Sequence, residues 1–403
     1  MRAQLYILNI SYNNMKSKEK YSNNIKNLIY KELKEAGFKF QKNSIIPPNL
    51  NNKNKLRKAH QAAKQHLLLG NKEWILKNEN KWLEYFADGN DIDPEKINPK
   101  LVLIDSHDKN GLSGLFRYAA YTWSIPLSNG FGRRLRYLIM DKNNNKLIGL
   151  IGLTDPVIGL KVRENYIGWN PQQKEKKLWH VMDIYAFGAV PPYSYLLGGK
   201  LVATLATSER IRRDFIKKYG NGRSNITKRN SKSRKGGLLL LTTTGAFGES
   251  SILDRLQGQD KGLLWNFVGL TQGWGFFHLN NGIATKIYEY LKQTNHEIVK
   301  KHRFGDGSNW KMRLLREGMK ELNIDYKKYG KHGIKRGFYV SPFASNFKEL
   351  LNDQSQRPKL YNRNEKELFK FFRERYLLPR SQRDNRWKDF DKNNIKVSKN
   401  LIK

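Results

Sequence analysis

Four side chains around one apolar segment could carry acid–base chemistry or hold a ligand. Asp183 interrupts the apolar run from Leu178 to Val190, where a carboxylate must be paired or have a shifted pKa. It is therefore either a proton acceptor or one half of a structural ion pair. Tyr185 and Tyr195 can donate a proton or line a pocket, and Thr243 can hold a ligand with its hydroxyl. The alternatives are packing of the tyrosines and backbone hydrogen bonding of the threonine.

A glycine turn follows this apolar segment. Gly198, Gly199 and Lys200 open a helical pattern that continues to Gly220. The first N–H groups of a helix and its dipole favour an anion, and Lys200 can meet a phosphate as a point charge. The turn predicts a binding site for a phosphate-bearing cofactor. The alternative is that the glycines only allow a helix and a strand to pack closely.

A further set of residues suits nucleic acid. Residues 220–237 form a polar, low-complexity run without an acidic side chain, which predicts a basic loop that buries no core. Trp274 follows a predicted strand and can stack on a base, although aromatic residues belong more often to a core. The predicted nucleic-acid contacts are Arg223, Lys228, Arg229, Lys232, Arg234, Lys235 and Trp274.

The overall composition favours a polyanionic partner. The 403 residues include 75 basic and 36 acidic side chains, a formal net charge of +39. Nucleic acid is the expected partner, and an anionic membrane surface is the alternative. No apolar run reaches the roughly 18 residues that a membrane-spanning helix needs, and the apolar N-terminal stretch lacks the cleavage site of a secretory signal. A cytoplasmic protein is therefore expected.

Several enzyme classes are disfavoured by motifs that the sequence lacks. There is no cysteine, which excludes disulfides, thiol catalysis and thiolate metal sites. No Gly-x-x-x-x-Gly-Lys-Ser/Thr loop, His-Glu-x-x-His helix or Gly-x-Ser-x-Gly elbow occurs, which disfavours nucleotide-driven motors, metal hydrolases and serine hydrolases of those types. His180 and His278 lack metal-ligand spacing, so no metal site is predicted.

The elements that position these residues are predicted from hydrophobic periodicity. Residues 1–100 form a basic, mainly helical region, residues 101–350 alternate strands and helices, and residues 351–403 form a basic helical tail that is partly disordered. Within the first region, Met1–Asn14 is predicted to be a strand or packing arm. A hairpin turn at Asp141–Asn145 precedes the central strand, and one helix follows the glycine turn. The predicted fold class is α/β (α+β), a mixed sheet flanked by helices after a helical N-terminal region.

The order hairpin, strand, glycine turn, helix, strand, helix and strand resembles the core of GNAT-type N-acetyltransferases. In that family an acyl-CoA pyrophosphate sits on the central turn, which has a Gln/Arg-x-x-Gly-x-Gly/Ala pattern. Residues 195–200 are Tyr-Leu-Leu-Gly-Gly-Lys, so Gly198 is in register and Gly199 follows it. The resemblance implies an acyltransferase-like sheet, with an acyl-CoA or another phosphate-bearing ligand at Gly198, Gly199 and Lys200.

Seven sequence blocks follow one another through the middle of the chain: GRRLRYLIMD (132–141), YIGWN (166–170), DIYAFGAVPPYSYLLGGKLVATLA (183–206), LLLLTTTGAFGESS (238–251), NFVGLTQGWGFFH (266–278), FGDGSNWKMR (304–313) and HGIKRGFYVSP (332–342). Together they resemble the DruA family of Druantia anti-phage defence systems over roughly residues 100–350. The resemblance implies a bacterial cytoplasmic protein that works with other gene products, including a large helicase-like partner, and implies no particular reaction. A weaker resemblance is to Mom-type phage DNA-modification proteins, which share the acyltransferase-like core.

Two hypotheses about function follow from the sequence. In the first, the chain is a component of a multi-protein antiviral defence system and binds phage nucleic acid, which is expected to be DNA. In the second, it is an acyl- or other group-transferase that acts on DNA or another phage-derived target. The second hypothesis assigns catalysis to Asp183, Tyr185, Tyr195 and Thr243 and cofactor binding to the glycine turn.

Overall fold

The computed structural model describes most of the chain. Its described residues are 2–35, 37–41, 44–46, 53–105, 108, 111–127, 130–220, 237–245, 248–275, 279, 281–301, 310–330 and 332–401. The helices and strands begin with α1 (Arg2–Glu35), β1 (Lys39–Gln41), β2 (Ser44–Ile46), α2 (Lys53–Leu69), α3 (Lys72–Leu83), β3 (Pro99–Leu103), α4 (Leu112–Thr122), β4 (Arg134–Asp141), β5 (Leu147–Thr154), α5 (Lys161–Ile167), α6 (Pro171–Lys177) and β6 (Val181–Ala189). They continue with α7 (Gly198–Leu205), α8 (Glu209–Tyr219), β7 (Leu240–Thr244), β8 (Asn266–Leu270), α9 (Asn281–Gln293), α10 (Glu297–Lys301), α11 (Trp310–Glu321), α12 (Tyr326–Tyr329), β9 (Gly337–Pro342), α13 (Phe347–Leu351), α14 (Glu365–Phe372) and α15 (Leu378–Arg383).

The chain divides into two compact units. One contains residues 1–59 and 272–335, and the other contains residues 60–271 and 336–403. In the first unit, Ile25 and Leu33 of α1 lie on one helical face and share a buried cluster with Ile287 of α9 and Met319 of α11. The predicted regions 1–100, 101–350 and 351–403 remain a prediction.

The second unit, which we call the sheet unit, is built on a seven-stranded mixed sheet. The strand order is β3-β4-β5-β6-β7-β9-β8, and neighbouring strands are antiparallel except for β6 and β7, which are parallel. Parallel neighbours need a crossover connection, which α7 and α8 provide. The predicted mixed α/β fold with a helical N-terminal region is confirmed.

Helices cover both faces of this sheet. On one face, Leu201 of α7 and Phe372 of α14 join Ile184 of β6 in a buried cluster. On the other face, Tyr118 of α4 packs in a cluster with Leu150 of β5. All eight residues of β5 are buried, as expected for a strand covered on both sides. The central strands are therefore a rigid base for side chains placed on them.

The segment after α14 ends against α3. Trp387, Val397 and Leu401 are buried. The Glu79 carboxylate of α3 accepts hydrogen bonds from the N–H groups of Val397 at 2.7 Å and Ser398 at 3.0 Å, and from the Ser398 hydroxyl. The last described residues are thus part of the packed core of the sheet unit.

Two element predictions are wrong in type or extent. Met1–Asn14 was expected to be a strand or packing arm, whereas one helix runs from Arg2 to Glu35. The helix predicted behind the glycine turn is two helices, because Ser208 has extended backbone angles (φ −67°, ψ 152°). The N–H of Glu209, which starts α8, donates to the Arg363 carbonyl oxygen at 3.0 Å.

None of the helices within the described ranges combines the length and the apolar character that crossing a bilayer requires.

Candidate functional site

Three neighbouring strands place polar side chains in one row across the sheet. Asp183 of β6 pairs with Thr154 of β5 on one side and with Thr242 of β7 on the other. Paired residues project their side chains to the same face of a sheet. Tyr185, two residues along β6, lies on this face as well, since a methyl group at Gly130 would be 3.0 Å from Thr154 Oγ1 and 3.4 Å from Tyr185 Cε1. We call these four residues, Thr154, Asp183, Tyr185 and Thr242, the Asp183 cluster.

Asp183 is the acid of this cluster. Thr242 Oγ1 donates a hydrogen bond to Asp183 Oδ1 at 2.8 Å, and within the described residues no second hydrogen bond to this carboxyl group is seen. Burial raises the pKa of Asp183 to about 6, against the opposing effects of the Thr242 hydroxyl and the positive charge of Arg163. The residue as a whole keeps partial exposure, although protein atoms surround its carboxyl group closely enough for burial to raise the pKa. A group with this pKa can accept and return a proton near neutral pH.

Tyr185 forms one wall of the cluster. A bulge between β5 and β6 beside Gly152 lets its ring lie over the glycine, where a methyl group would be 2.8 Å from two ring carbons. Burial raises the pKa of the Tyr185 phenol, and the positive charges of Arg136 and Arg134 oppose this rise. The charges of two guanidinium groups therefore act on this phenol, which lies on the same face of the sheet as the Asp183 carboxyl group.

The other two predicted catalytic residues lie elsewhere. Thr243 projects to the opposite face of β7 from Thr242, and its hydroxyl donates to the Ile184 carbonyl oxygen at 3.0 Å. Tyr195 follows β6 and lies against the C-terminal segment, where its carbonyl oxygen accepts from Arg380 Nε at 3.1 Å. The structure thus brings Asp183 and Tyr185 together but not Tyr195 or Thr243.

The glycine turn is packed against protein atoms. A methyl group at Gly198 would lie 2.6 Å from the Tyr193 carbonyl oxygen, and one at Gly199 would lie 3.1 Å from Ile252 Cδ1. The Lys200 ammonium faces two carbonyl oxygens, each at 3.4 Å, and burial lowers its pKa. The N–H groups of residues 200 and 201 both donate to the carbonyl oxygen of residue 197. These surroundings do not favour a pyrophosphate, because protein atoms lie close to both glycines and the N–H of Lys200, one of the donors that the start of a helix offers to an anion, is already hydrogen-bonded.

The predicted nucleic-acid contacts in the basic segment lie outside the described residues: Arg223, Lys228, Arg229, Lys232, Arg234 and Lys235. Trp274 is described and belongs to the first unit. Its side chain is exposed, and its indole lies beside Gly330, where a methyl group would be 2.6 Å from Nε1. One edge of this ring is therefore packed against the chain.

Sequence reasoning missed three groups that shape the Asp183 cluster. Thr242 was not singled out from the run 242–244, because the register between β6 and β7 decides which threonine meets Asp183. Thr154 fixes the loop before β4, since its hydroxyl donates to the Phe131 carbonyl oxygen at 2.6 Å. Arg163 is fully buried, which its polar neighbours in the sequence do not reveal.

In the parts of the chain that the structure describes, no group of three or more histidine, aspartate or glutamate side chains could hold a metal ion.

Comparisons with known proteins identify the family. The model of the family described as "Druantia protein DruA" matches residues 50–353. The chain belongs to the DruA family. The Druantia protein DruA of Escherichia coli (strain UMEA 4076-1) is 36% identical over 379 residues, which are 94% of this chain and 90% of that relative. Membership points to a component of an anti-phage defence system. No solved structure matches the chain.

Proposed function

We propose that this chain is the nucleic-acid-binding component of a Druantia-type defence system. The net charge of +39 supports this proposal, because a surplus of this size favours binding to phosphate backbones. The segment 221–236 contributes six basic residues and no acidic residue. In the proposal it contacts DNA backbones, so binding depends strongly on salt and little on base sequence.

The ends of this basic segment connect it to the Asp183 cluster. Before the segment, Tyr219 donates from its hydroxyl to the Arg134 carbonyl oxygen at 2.9 Å, and Arg134 is paired with Thr154. After the segment, the Gly237 carbonyl oxygen lies 2.8 Å from Nδ1 of His180, just before β6. One end thus adjoins β4 and the other adjoins the start of β6, the strand that carries Asp183, which supports a DNA-binding region on this part of the sheet unit.

The partners in this proposal are DNA and other proteins of the defence system, including a helicase-like subunit that supplies motor activity. The sequence has no phosphate-binding loop of its own for such a motor. A cytoplasmic location, where phage DNA would be met, and the absence of a membrane partner belong to the same proposal.

Binding can be tested by fluorescence anisotropy with labelled duplex DNA, single-stranded DNA and RNA at several salt concentrations. We expect log K to fall linearly with log salt, by about 0.9 for each duplex phosphate neutralised. Replacing the six basic residues of 221–236 with glutamine should weaken binding and flatten this dependence.

A matched variant controls for net charge. It replaces six exposed lysines of the sheet unit with glutamine: Lys72, Lys77, Lys81, Lys96, Lys100 and Lys142. If both six-site variants bind DNA equally well, the binding depends on the net charge of the protein and not on the segment 221–236. If the wild-type protein binds none of the nucleic acids at low salt, the proposed function is wrong.

A second candidate function is group transfer to DNA or another phage-derived target. Asp183 favours it, because a partly exposed acid with a pKa near 6 and a single protein hydrogen bond suits proton transfer. Tyr185 would line the site in which the target group reacts. The acyltransferase-like core and the acyl-CoA ligand at Gly198, Gly199 and Lys200 remain part of this second proposal, although the packing of the turn does not support them.

This second candidate is tested by mass spectrometry of nucleosides from DNA incubated with the protein and acyl-CoA or nucleotide donors. A new mass that Asp183→Asn abolishes would support group transfer. Unaltered nucleosides with every donor, under conditions in which the protein binds DNA, would leave binding as the function.

A further inference from the structure

Three large apolar side chains project into solvent next to the Asp183 cluster. Phe131 precedes β4, and Val157 and Ile158 follow β5. Their exposed fractions are 41%, 47% and 56%. Exposing a large apolar side chain to water costs free energy. Groups of exposed apolar side chains mark binding sites more often than single exposed residues do. We call these three residues the apolar rim.

Both loops of the apolar rim are held in place by hydrogen bonds. The Phe131 carbonyl oxygen accepts from the Asp155 N–H at 3.0 Å and from the Thr154 hydroxyl at 2.6 Å. The carbonyl oxygens of Val157 and Ile158 accept from the buried guanidinium group of Arg163 at 2.8 and 3.0 Å. The rim is therefore pre-organised, and binding need not order it.

The same anchors connect the rim to the acid. Thr154, which holds Phe131, is the strand neighbour of Asp183. Arg163, which holds Val157 and Ile158, is the cation whose charge acts on the Asp183 carboxyl group. A rigid apolar edge and a partly exposed acceptor thus share their supporting side chains.

The charge around the rim is positive. Arg134 is exposed and donates to the Gly130 carbonyl oxygen at 3.0 Å, and Lys161 at the start of α5 is exposed. Of the nearby acids, Asp155 is paired with Arg133 at 2.7 Å, and Glu164 is paired with Arg163 at 2.7 Å. The surface therefore complements a phosphate backbone.

We infer that the apolar rim inserts into the base stack of bound DNA and that the Asp183 cluster receives an unstacked base. This inference rests on the proposed function, because it requires nucleic-acid binding. Apolar wedges between base steps partly unstack them, and proteins that hold an extruded base read its edge with hydrogen bonds. A carboxylate accepts from an amino group such as N4 of cytosine, so a base that carries an amino group is the expected occupant.

Unstacking can be measured with a duplex that contains 2-aminopurine, whose fluorescence rises when the base leaves the stack. We expect a severalfold rise with the full-length protein. The rise should fall to near the level of free duplex with Phe131→Ser or Ile158→Ser. Leu76→Ser is the matched control, because Leu76 is 52% exposed on α3 of the same unit, and it should leave the rise unchanged. Anisotropy on the same duplex reports binding separately.

The role of Asp183 has its own readout. In duplexes with cytosine or thymine opposite an abasic site, this base leaves the stack at a small free-energy cost because it has no pairing partner. The wild-type protein should bind the cytosine duplex several times more tightly, and Asp183→Ala should remove this preference while retaining salt-dependent binding.

Three results would overturn the inference. The first is DNA binding by the wild-type protein without a fluorescence rise. The second is a fluorescence rise that persists in both rim variants. The third is a loss of phage protection in rim variants that still unstack DNA normally, which would mark the rim as a protein contact. Failure of the wild-type protein to bind DNA would instead refute the proposed function on which the inference rests.

Discussion

Thr242 donates its hydroxyl hydrogen to Asp183 across two parallel strands, with 2.8 Å between Oγ1 and Oδ1. This hydrogen bond stabilises the carboxylate, whereas burial favours the neutral acid. The effect of burial is the larger one, so the pKa of Asp183 is raised to about 6. The pair therefore couples the stability of the sheet to the protonation of one side chain.

The first prediction concerns Asp183→Asn and pH. A raised native pKa means that the folded state binds the proton more tightly, so the wild-type protein loses stability as pH rises from about 4 to about 6. Asparagine carries no charge to bury. The gain in the free energy of unfolding from Asp183→Asn should be larger at pH 8 than at pH 5 by about 1 kcal/mol, measured by urea denaturation. An equal effect at both pH values would show that the native pKa is not raised.

The second prediction separates the hydrogen bond from the bulk of Thr242. Thr242→Val keeps the shape but removes the donor, so the pKa of Asp183 should rise further and the loss of stability should extend to higher pH. The cost at pH 8 should be about 1–3 kcal/mol. Thr242→Ser retains the hydroxyl and serves as control. The prediction fails if serine and valine give the same pH profile of unfolding.

The third prediction concerns the contact between Gly152 and Tyr185. A methyl group at position 152 would lie 2.8 Å from two ring carbons and 3.0 Å from the hydroxyl oxygen, so Gly152→Ala should displace the ring and cost about 1–3 kcal/mol. Gly159→Ala is the control, because no atom lies within 4 Å of a methyl group there. Thermal denaturation compares the two variants, and similar melting temperatures would mean that the ring moves without cost.

The fourth prediction concerns Glu79. Its carboxylate accepts from the Tyr118 hydroxyl at 2.8 Å as well as from Val397 and Ser398, so Glu79→Ala leaves several buried donors unpaired. The expected cost is about 3 kcal/mol, with faster amide hydrogen exchange in residues 397–401. Glu73→Ala, an exposed position on the same helix, should have little effect. Unchanged exchange at 397–401 in Glu79→Ala would contradict this role of the carboxylate.

Hydrophobic periodicity predicted much of the sheet unit but not the full site. The hairpin at Asp141–Asn145 and the buried strand that carries Asp183 could be predicted, because turn residues and apolar runs act locally. The choice between Thr242 and Thr243 could not, since it depends on a pairing between strands nearly 60 positions apart in the sequence. The placement of Tyr195 depends on Arg380 of the C-terminal segment, and no local pattern indicates such a contact.

The apolar N-terminal stretch shows the opposite difficulty. The apolar residues of Met1–Asn14 match neither the strand period nor the helix period clearly, and residues 2–14 are the first part of the helix that runs to Glu35. In the same way, one continuous helical pattern hid the break at Ser208, where the Arg363 carbonyl oxygen meets the start of α8.

The docking of residues 397–401 on α3 has a consequence for synthesis. Because Val397 and Leu401 lie in a buried cluster with residues of α3, α4 and β5, the sheet unit cannot complete its core while these residues are still inside the ribosome. The strands therefore remain only partly packed until residue 401 has emerged. A fusion attached just after residue 401 would begin beside a buried side chain.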